Sequence, residues 1–121
     1  MHELSIAQAL VEQAEASLPA EVAGHRVTEL LVEVGELSGV VPAALREVFP
    51  FAAENSLLDG ARLRLRKVKA KMKCRACGKK FGAWEGIGCP HCSSQNIELL
   101  QGRELRLMSM EIEERKREIR K

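Results

Sequence analysis

Residues 26–34 read RVTELLVEV. Thr28, Leu30, Val32 and Val34 alternate with Glu29, Leu31 and Glu33, the period of two that sends successive side chains to opposite faces of a strand. The β-branched content suits a pleated, half-buried element, and one face is the more polar. Upstream, residues 4–18 carry Leu4, Ala7, Leu10, Val11, Ala14 and Leu18 at three- and four-residue steps, which predicts an amphipathic helix. Ser5 and Gln8 have capping-box spacing, which places the helix start near Ser5, and Pro19 ends it. Downstream, Gly35 and Gly39 punctuate a GELSG turn. Pro42 suits the first position of a second helix, whose stripe is Leu45, Val48, Phe49 and Ala52. Pro50 falls inside that stripe and predicts a kink or an early stop. Asp59-Gly60 is a turn signal.

Two more alternating segments follow. In 61–71, ARLRLRKVKAK, Leu63 and Leu65 oppose Arg62, Arg64 and Arg66; Lys67 then takes the apolar phase, a slip that predicts a bulge or a strand end. In 103–112, RELRLMSMEI, Leu105 and Leu107 define one face and Met108, Met110 and Ile112 the other. The order is helix, strand, helix, strand, cysteine-rich stretch, strand and charged tail. A helix joins the first two strands, so a parallel crossover is expected. The last two flank the cysteine-rich stretch and are expected to pair antiparallel across it, leaving that stretch as an insertion between strands of one sheet. The tail EIEERKREIRK reads as a solvated helix, with Glu113 and Arg117 as an i,i+4 pair.

At 121 residues the chain is one domain, or one domain with a small second module. Apolar residues make up 45% but aromatics 3%, with no tyrosine, so the core must be largely aliphatic. A net charge of +2 is too small to argue for nucleic acid. His2, Glu3, Glu12 and Glu15 interrupt any signal-peptide core, and no apolar run approaches the roughly 20 residues of a membrane span. A soluble cytoplasmic protein is expected. Thiols stay reduced in that compartment, so four cysteines suggest metal before disulfides.

Those cysteines lie in CRACGKKFGAWEGIGCPHC: Cys74 and Cys77 form one C-x2-C pair, Cys89 and Cys92 the other. Each such turn points two sulfurs at one ion, and two turns complete a tetrahedron suited to zinc. Gly78, Gly82, Gly86, Gly88 and Pro90 supply tight turns. Lys71, Lys73, Arg75, Lys79 and Lys80 are placed to offset the formal charge of about −2 on a zinc tetrathiolate. A redox dithiol is the competing reading, and two matched pairs at this spacing weigh against it. Four sulfurs leave no open position for water, so the zinc would be structural. His91, inside the second pair, reads as an exposed knuckle residue rather than a fifth ligand.

The chain starts MHE. His2 is a large second residue, so Met1 is expected to stay, with a free α-amine. That amine with the backbone nitrogen and imidazole of His2 can close five- and six-membered chelate rings on one ion, and Glu3 can fill a fourth place. Such a nitrogen-rich, near-planar set suits Ni(II) or Cu(II). Copper in the cytosol is mostly Cu(I), which prefers sulfur, so nickel is favoured. From spacing alone, a histidine at position two is more often just a polar terminus.

MHELSIAQALVE, LVEVGELSGVVPAAL, the two C-x2-C pairs and GRELRLMSMEIE occur in that order. Together they resemble the HypA/HybF family, the nickel-delivery proteins of NiFe-hydrogenase maturation, over Met1 to about Glu113. The resemblance implies an α+β fold: two helices packed on a three-stranded mixed sheet, with an inserted zinc-ribbon module. It implies a nickel-binding domain of residues 1–71 and 100–113, a zinc ribbon of 72–99 and a charged tail of 114–121. It assigns nickel to His2, assisted by Met1 and Glu3, and zinc to Cys74, Cys77, Cys89 and Cys92. The implied partners are the accessory GTPase HypB, the hydrogenase large subunit and, for some members, urease maturation proteins. Two departures stand out. Some members carry an acidic residue after the ELSG-like turn, where this chain has Val40 and Val41, leaving Glu36 as a speculative substitute. Some place histidines beside the cysteine pairs, where this chain has only His91.

Two other functions compete. A nucleic-acid-binding ribbon would use the basic stretch Arg62 to Lys80, but only Phe81 and Trp84 could stack bases near the zinc. An enzyme would need an open metal or a positioned acid–base pair, and no such signature occurs. A phosphate-binding loop is also absent from the sequence, so a partner would supply any nucleotide-driven timing.

Overall fold

The computed structural model describes residues 2–116. Its elements are α1 (Glu3–Ala16), a short 3-10 turn (Ala20–Val22), β1 (His25–Gly35), α2 (Pro42–Ala53), β2 (Arg62–Val68), β3 (Lys71–Cys74), β4 (Lys80–Phe81), β5 (Ile97–Gln101) and β6 (Leu105–Lys116). They form two three-stranded sheets, ordered β2-β1-β6 and β4-β3-β5. In the first, β1 is central, parallel to β2 and antiparallel to β6. The second is antiparallel throughout.

Both helices cover one face of the first sheet. Ala7, Leu10, Val11 and Ala14 of α1 and Leu45, Phe49 and Ala53 of α2 form one cluster with Val27, Leu30, Val32 and Val34 of β1. The helices lie side by side with like ends together. The Val41 amide, at the N-cap of α2, donates to the Glu3 carboxylate at 3.4 Å, and the Leu57 amide beyond α2 donates to Glu15 at 3.1 Å. This follows from topology: each helix runs against β1, so the two run with each other. Among the described residues, no buried side-chain nitrogen or oxygen lacks a hydrogen-bond partner.

Several expectations need correction. Residues 61–71 and 103–112 do not pair with each other; β2 and β6 take opposite edges of β1. The antiparallel pairing across the cysteine stretch occurs one step further in, between β3 and β5. Helix α1 starts at Glu3 rather than near Ser5, with His2 as an N-cap that makes no side-chain capping bond, and it ends at Ala16. Helix α2 passes through Pro50 and ends at Ala53, because the missing donor falls in its last turn. The tail is not helical up to Lys116: β6 extends that far, held by β1. The proposed Arg117 partner of Glu113 lies outside the described residues, as do Met1 and the rest of 117–121.

Both phase slips have structural causes. The β1–β6 register shifts between Leu31 and Val32, where Ser109 and Leu107 are the opposite residues. Met108 is therefore an extra, exposed residue, and the bulge returns Met110 to the same inward face as Leu105 and Leu107. A second shift, between Val27 and Glu29, makes Thr28 the extra residue of β1. Val27 takes the core position that simple alternation assigns to Thr28. The slip at Lys67 is instead a strand end, since β2 stops at Val68 and the chain leaves for the second sheet.

The two linkers between the sheets cross at the end of β1. The Glu36 amide donates to Val68 at 2.8 Å, and the Leu37 amide donates to Gly102 at 2.7 Å. The Glu36 carboxylate accepts from the Ala70 amide at 2.8 Å. A Cβ on Gly35 would overlap the Gly102 carbonyl, and one on Gly102 would lie 2.8 Å from the Ala70 Cα. Three backbones meet there with no room for side chains.

Two substitutions test this packing by denaturant unfolding. Leu30→Ala should cost about 2–5 kcal/mol, because Leu30 is fully buried between helix and sheet. Gly35→Ala should cost about 1–3 kcal/mol, since the linker backbone must retreat. A shift near zero in either variant would contradict the corresponding contact.

Candidate metal centre

Two loops with the same hydrogen-bond pattern build the sulfur cluster. In the first, the Cys74 amide donates to Lys79 at 2.9 Å and the Gly78 amide to Cys74 at 2.8 Å. In the second, the Cys89 amide donates to Ser94 at 2.8 Å and the Ser93 amide to Cys89 at 2.9 Å. Each loop has a left-handed residue four positions after its first cysteine: Gly78 at φ 78° and Ser93 at φ 66°. Glycine adopts this conformation freely, whereas serine pays a steric cost there. Ser93 is thus the place where the second loop departs from the easier sequence solution, and C-x2-C spacing alone does not reveal it. Gly88 is also required, because a Cβ there would stand 2.6 Å from the Ser94 carbonyl oxygen.

The two loops bring their sulfurs together at the end of β3. Cys74 ends that strand, pairs with Ile97 of β5 and is buried; Cys89 is buried as well, whereas Cys77 and Cys92 reach solvent. All four Sγ atoms lie within 4.8 Å of one another, with Cys74–Cys92 at 3.5 Å and Cys77–Cys89 at 3.7 Å. Four sulfurs at about 2.3 Å from one ion stand about 3.8 Å apart, so this donor set fits a tetrahedral divalent ion. Backbone amides support two of the sulfurs: Cys77 donates to the Cys74 Sγ at 3.4 Å, and His91 to the Cys89 Sγ at 3.3 Å.

The thiol acidities point the same way. The Cys77 amide, opposed by burial, holds the Cys74 thiol down to about 6. At Cys92 the lowering by the Ser94 backbone is outweighed by the hydrogen bond shared with Cys74 and by desolvation, and that thiol is pushed up to about 12. Four thiolates at these separations repel, so one proton is held where another is lost. A divalent cation removes the conflict by displacing the protons.

The other site residues stand elsewhere. His91 is exposed within its loop, and its amide rather than its ring serves the cluster. Arg75, one of the cations near the cluster in sequence, turns to Glu98 at 3.7 Å. His2 is exposed at the start of α1, and Glu3 beside it bonds to Val41. Val40 is buried in the core and Val41 caps α2, so neither position offers a ligand. The Glu36 carboxylate is engaged with Ala70 at the junction of the sheets. Among the described residues, the cysteine cluster is the one group of three or more metal-ligating side chains, and no helix is long and apolar enough to cross a membrane.

Comparison with known proteins agrees with this architecture. A family model described as "Hydrogenase/urease nickel incorporation, metallochaperone, hypA" matches residues 1–112. The hydrogenase maturation factor HypA of Geobacter metallireducens is 39% identical over 116 residues, covering 93% of this chain and 100% of that protein. That of Chlorobium limicola is 37% identical over 115 residues, covering 94% and 98%. The solution structure of the Ni metallochaperone HypA from Helicobacter pylori aligns with a TM-score of 0.66 at 28% identity, covering 93% of this chain and 97% of that one. Two helices on a mixed three-stranded sheet, a four-cysteine cluster of zinc-ribbon form and a family match across nearly the whole chain lead to one conclusion: this chain belongs to the HypA family of metallochaperones for nickel incorporation into hydrogenase and urease.

Proposed function

We propose that this chain carries Ni(II) at its N-terminus, held by His2 with the Met1 amine and Glu3, and delivers it during NiFe-hydrogenase maturation. Urease is a second client class that the family description supports. The observation that carries the reading is His2 itself: exposed, at the cap of α1, with no capping bond from its side chain. Its imidazole is therefore available for coordination. The setting also favours release. The N-termini of α1 and α2 meet at the Glu3–Val41 contact, and the positive ends of two helix dipoles oppose a cation there. Glu3 is shared between the Val41 amide and any bound ion, so the cargo is held by few groups and can leave by ligand exchange.

In this reading the four cysteines hold zinc as a resident structural ion. It organises residues 72–99, while residues 1–71 and 100–113 form the nickel-binding unit, except that Lys71, Leu100 and Gln101 belong by strand pairing to the second sheet. Zinc would supply cross-linking there and no reaction, because four thiolates fill its coordination shell. Timing comes from a partner GTPase, HypB, and the recipient is the hydrogenase large subunit or a urease maturation protein. The cytoplasm is the proposed compartment, where the thiols stay available to metal.

Isothermal titration of untagged protein tests the cargo site. His2→Ala, and separately one residue added ahead of Met1, should each abolish specific nickel binding while leaving zinc content and circular dichroism unchanged. Undiminished nickel affinity in both would overturn the assignment. Cys74→Ser should release zinc and unfold the cysteine loops locally, read by a colorimetric zinc assay and circular dichroism. Full zinc retention in that variant would remove Cys74 from the ligand set.

A further inference from the structure

The face of the first sheet that the helices leave uncovered is built from charge. Its rows run Arg62–Glu29–Glu111, Arg64–Leu31–Ser109 and Arg66–Glu33–Arg106 across β2, β1 and β6. The charges are layered. Glu29 and Glu33 are only 16% and 7% exposed, whereas Arg62, Arg64, Arg66 and Arg106 are 60–78% exposed. Glu33 holds Arg106 at 2.8 Å and Arg66 at 3.8 Å; Glu29 holds Arg64 at 3.7 Å and Arg62 at 4.0 Å. The carboxylates thus lie beneath the guanidiniums and fix them, leaving donors turned to solvent. At the end nearest the second sheet the face deepens into a cleft of about 240 Å³, where the cations Arg66, Lys67, Lys69 and Arg106 outnumber the carboxylates Glu33 and Glu104.

We propose that this face is a docking surface for an extended acidic segment of a partner protein, its carboxylates recurring at every second residue along β2 and ending in the cleft. Arg62, Arg64 and Arg66 project from alternate residues of one strand, about 6.7 Å apart. An extended peptide has the same repeat, so it can set one carboxylate over each arginine, where charge-assisted pairing is strongest. A nucleic acid fits less well. It brings a phosphate at every step, while this face includes Glu111 and the neutral row of Leu31 and Ser109, and has no aromatic side chain for stacking. The chain's own tail is excluded by charge, since residues 115–121, RKREIRK, carry five cations and one carboxylate. The polarity of the whole chain agrees: only two of the 19 Lys and Arg residues, but ten of the 17 Asp and Glu residues, lie in positions 1–60. Glu29, Glu33 and Glu36 apart, the helical segments 3–22 and 42–60 hold seven of those carboxylates against one cation, Arg46, so the helical layer is acidic and repels the partner that the sheet face attracts. The surface shares no residue with the N-terminal site or the cysteine cluster, and the proposal holds whichever metal either site carries.

The test uses the full-length, metal-loaded protein and a fluorescein-labelled octapeptide of alternating Glu and Thr, read by anisotropy at low ionic strength. Binding should weaken at least fivefold in the double variant Arg64→Gln, Arg66→Gln. It should change less than twofold in Lys79→Gln, Lys80→Gln, which alters equal charge on the cysteine module. The pair Lys67→Gln, Lys69→Gln should reproduce the loss at the cleft and keeps the test decisive if the arginine variant fails to fold. No binding, equal loss in the Lys79 and Lys80 control, or tighter binding of an octathymidylate than of the peptide would each overturn the proposal. A second copy of the chain as the true occupant would appear as concentration-dependent dimer by light scattering that the arginine variant abolishes, with no peptide binding, and would overturn it as well.

Discussion

Strand β1 has to satisfy three surfaces at once, and the rest of the molecule is arranged by that demand. Both edges need hydrogen-bond partners, because each buried amide or carbonyl left unpaired costs about 1–3 kcal/mol. One face needs apolar cover, and its buried Val27, Leu30, Val32 and Val34 obtain it from the helices. The other face carries Glu29 and Glu33, which require cations if they are to lie so close to the sheet. β2 meets part of each demand: its parallel ladder closes one edge, Leu63 and Leu65 extend the core, and its arginines reach the two glutamates. β6 does the same on the other edge, and its bulge at Met108 lets it do so along its full length.

The cysteine loops depend on this arrangement indirectly. They have no contribution from α1 or α2, and their own sheet is short, with β4 only two residues long. A sheet of that size is marginal without a staple, which four thiolates on one ion would provide. The connection to the larger sheet is two linkers that cross at Gly35, Gly102 and Ala70 without side chains between them. Backbone contact of that kind leaves little slack, so the position of the sulfur cluster follows from the end of β1. The Glu36 bond to Ala70 tightens the same joint, which explains why that carboxylate serves the fold.

At the opposite extreme, the start of α1 is held only through Glu3 and Val41 and through packing of the helix behind it. The His2 carbonyl accepts from the Ile6 amide at 3.2 Å, so the residue sits on a firm helix, and its ring makes no capping bond. Firm support with an unengaged ring is the state that the proposed cargo role requires. The sulfur cluster is the reverse case, closed and braced by amides at two of its sulfurs. The two candidate metal positions thus differ in the degree to which the fold commits their ligands.

Local pattern by itself determined the helices, the three long strands, the parallel crossover and the pairing of the cysteines, because each is written in spacing within a few residues. The apolar stripe at Ala7, Leu10, Val11 and Ala14 is an example. It also carried the family resemblance through the MHE start and the paired C-x2-C motifs. Which strands are neighbours was a tertiary matter: β2 and β6 have similar patterns, and only the need of β1 for a partner on each edge separates them. The bulge residues Thr28 and Met108 were likewise undecidable from alternation, since a slip can mean an end or an insertion until the opposite strand is known. Glu36 at the joint, Ser93 in its left-handed turn and the layering of arginine over glutamate all arise from groups far apart in the chain or from backbone angles, and neither is encoded in residue spacing.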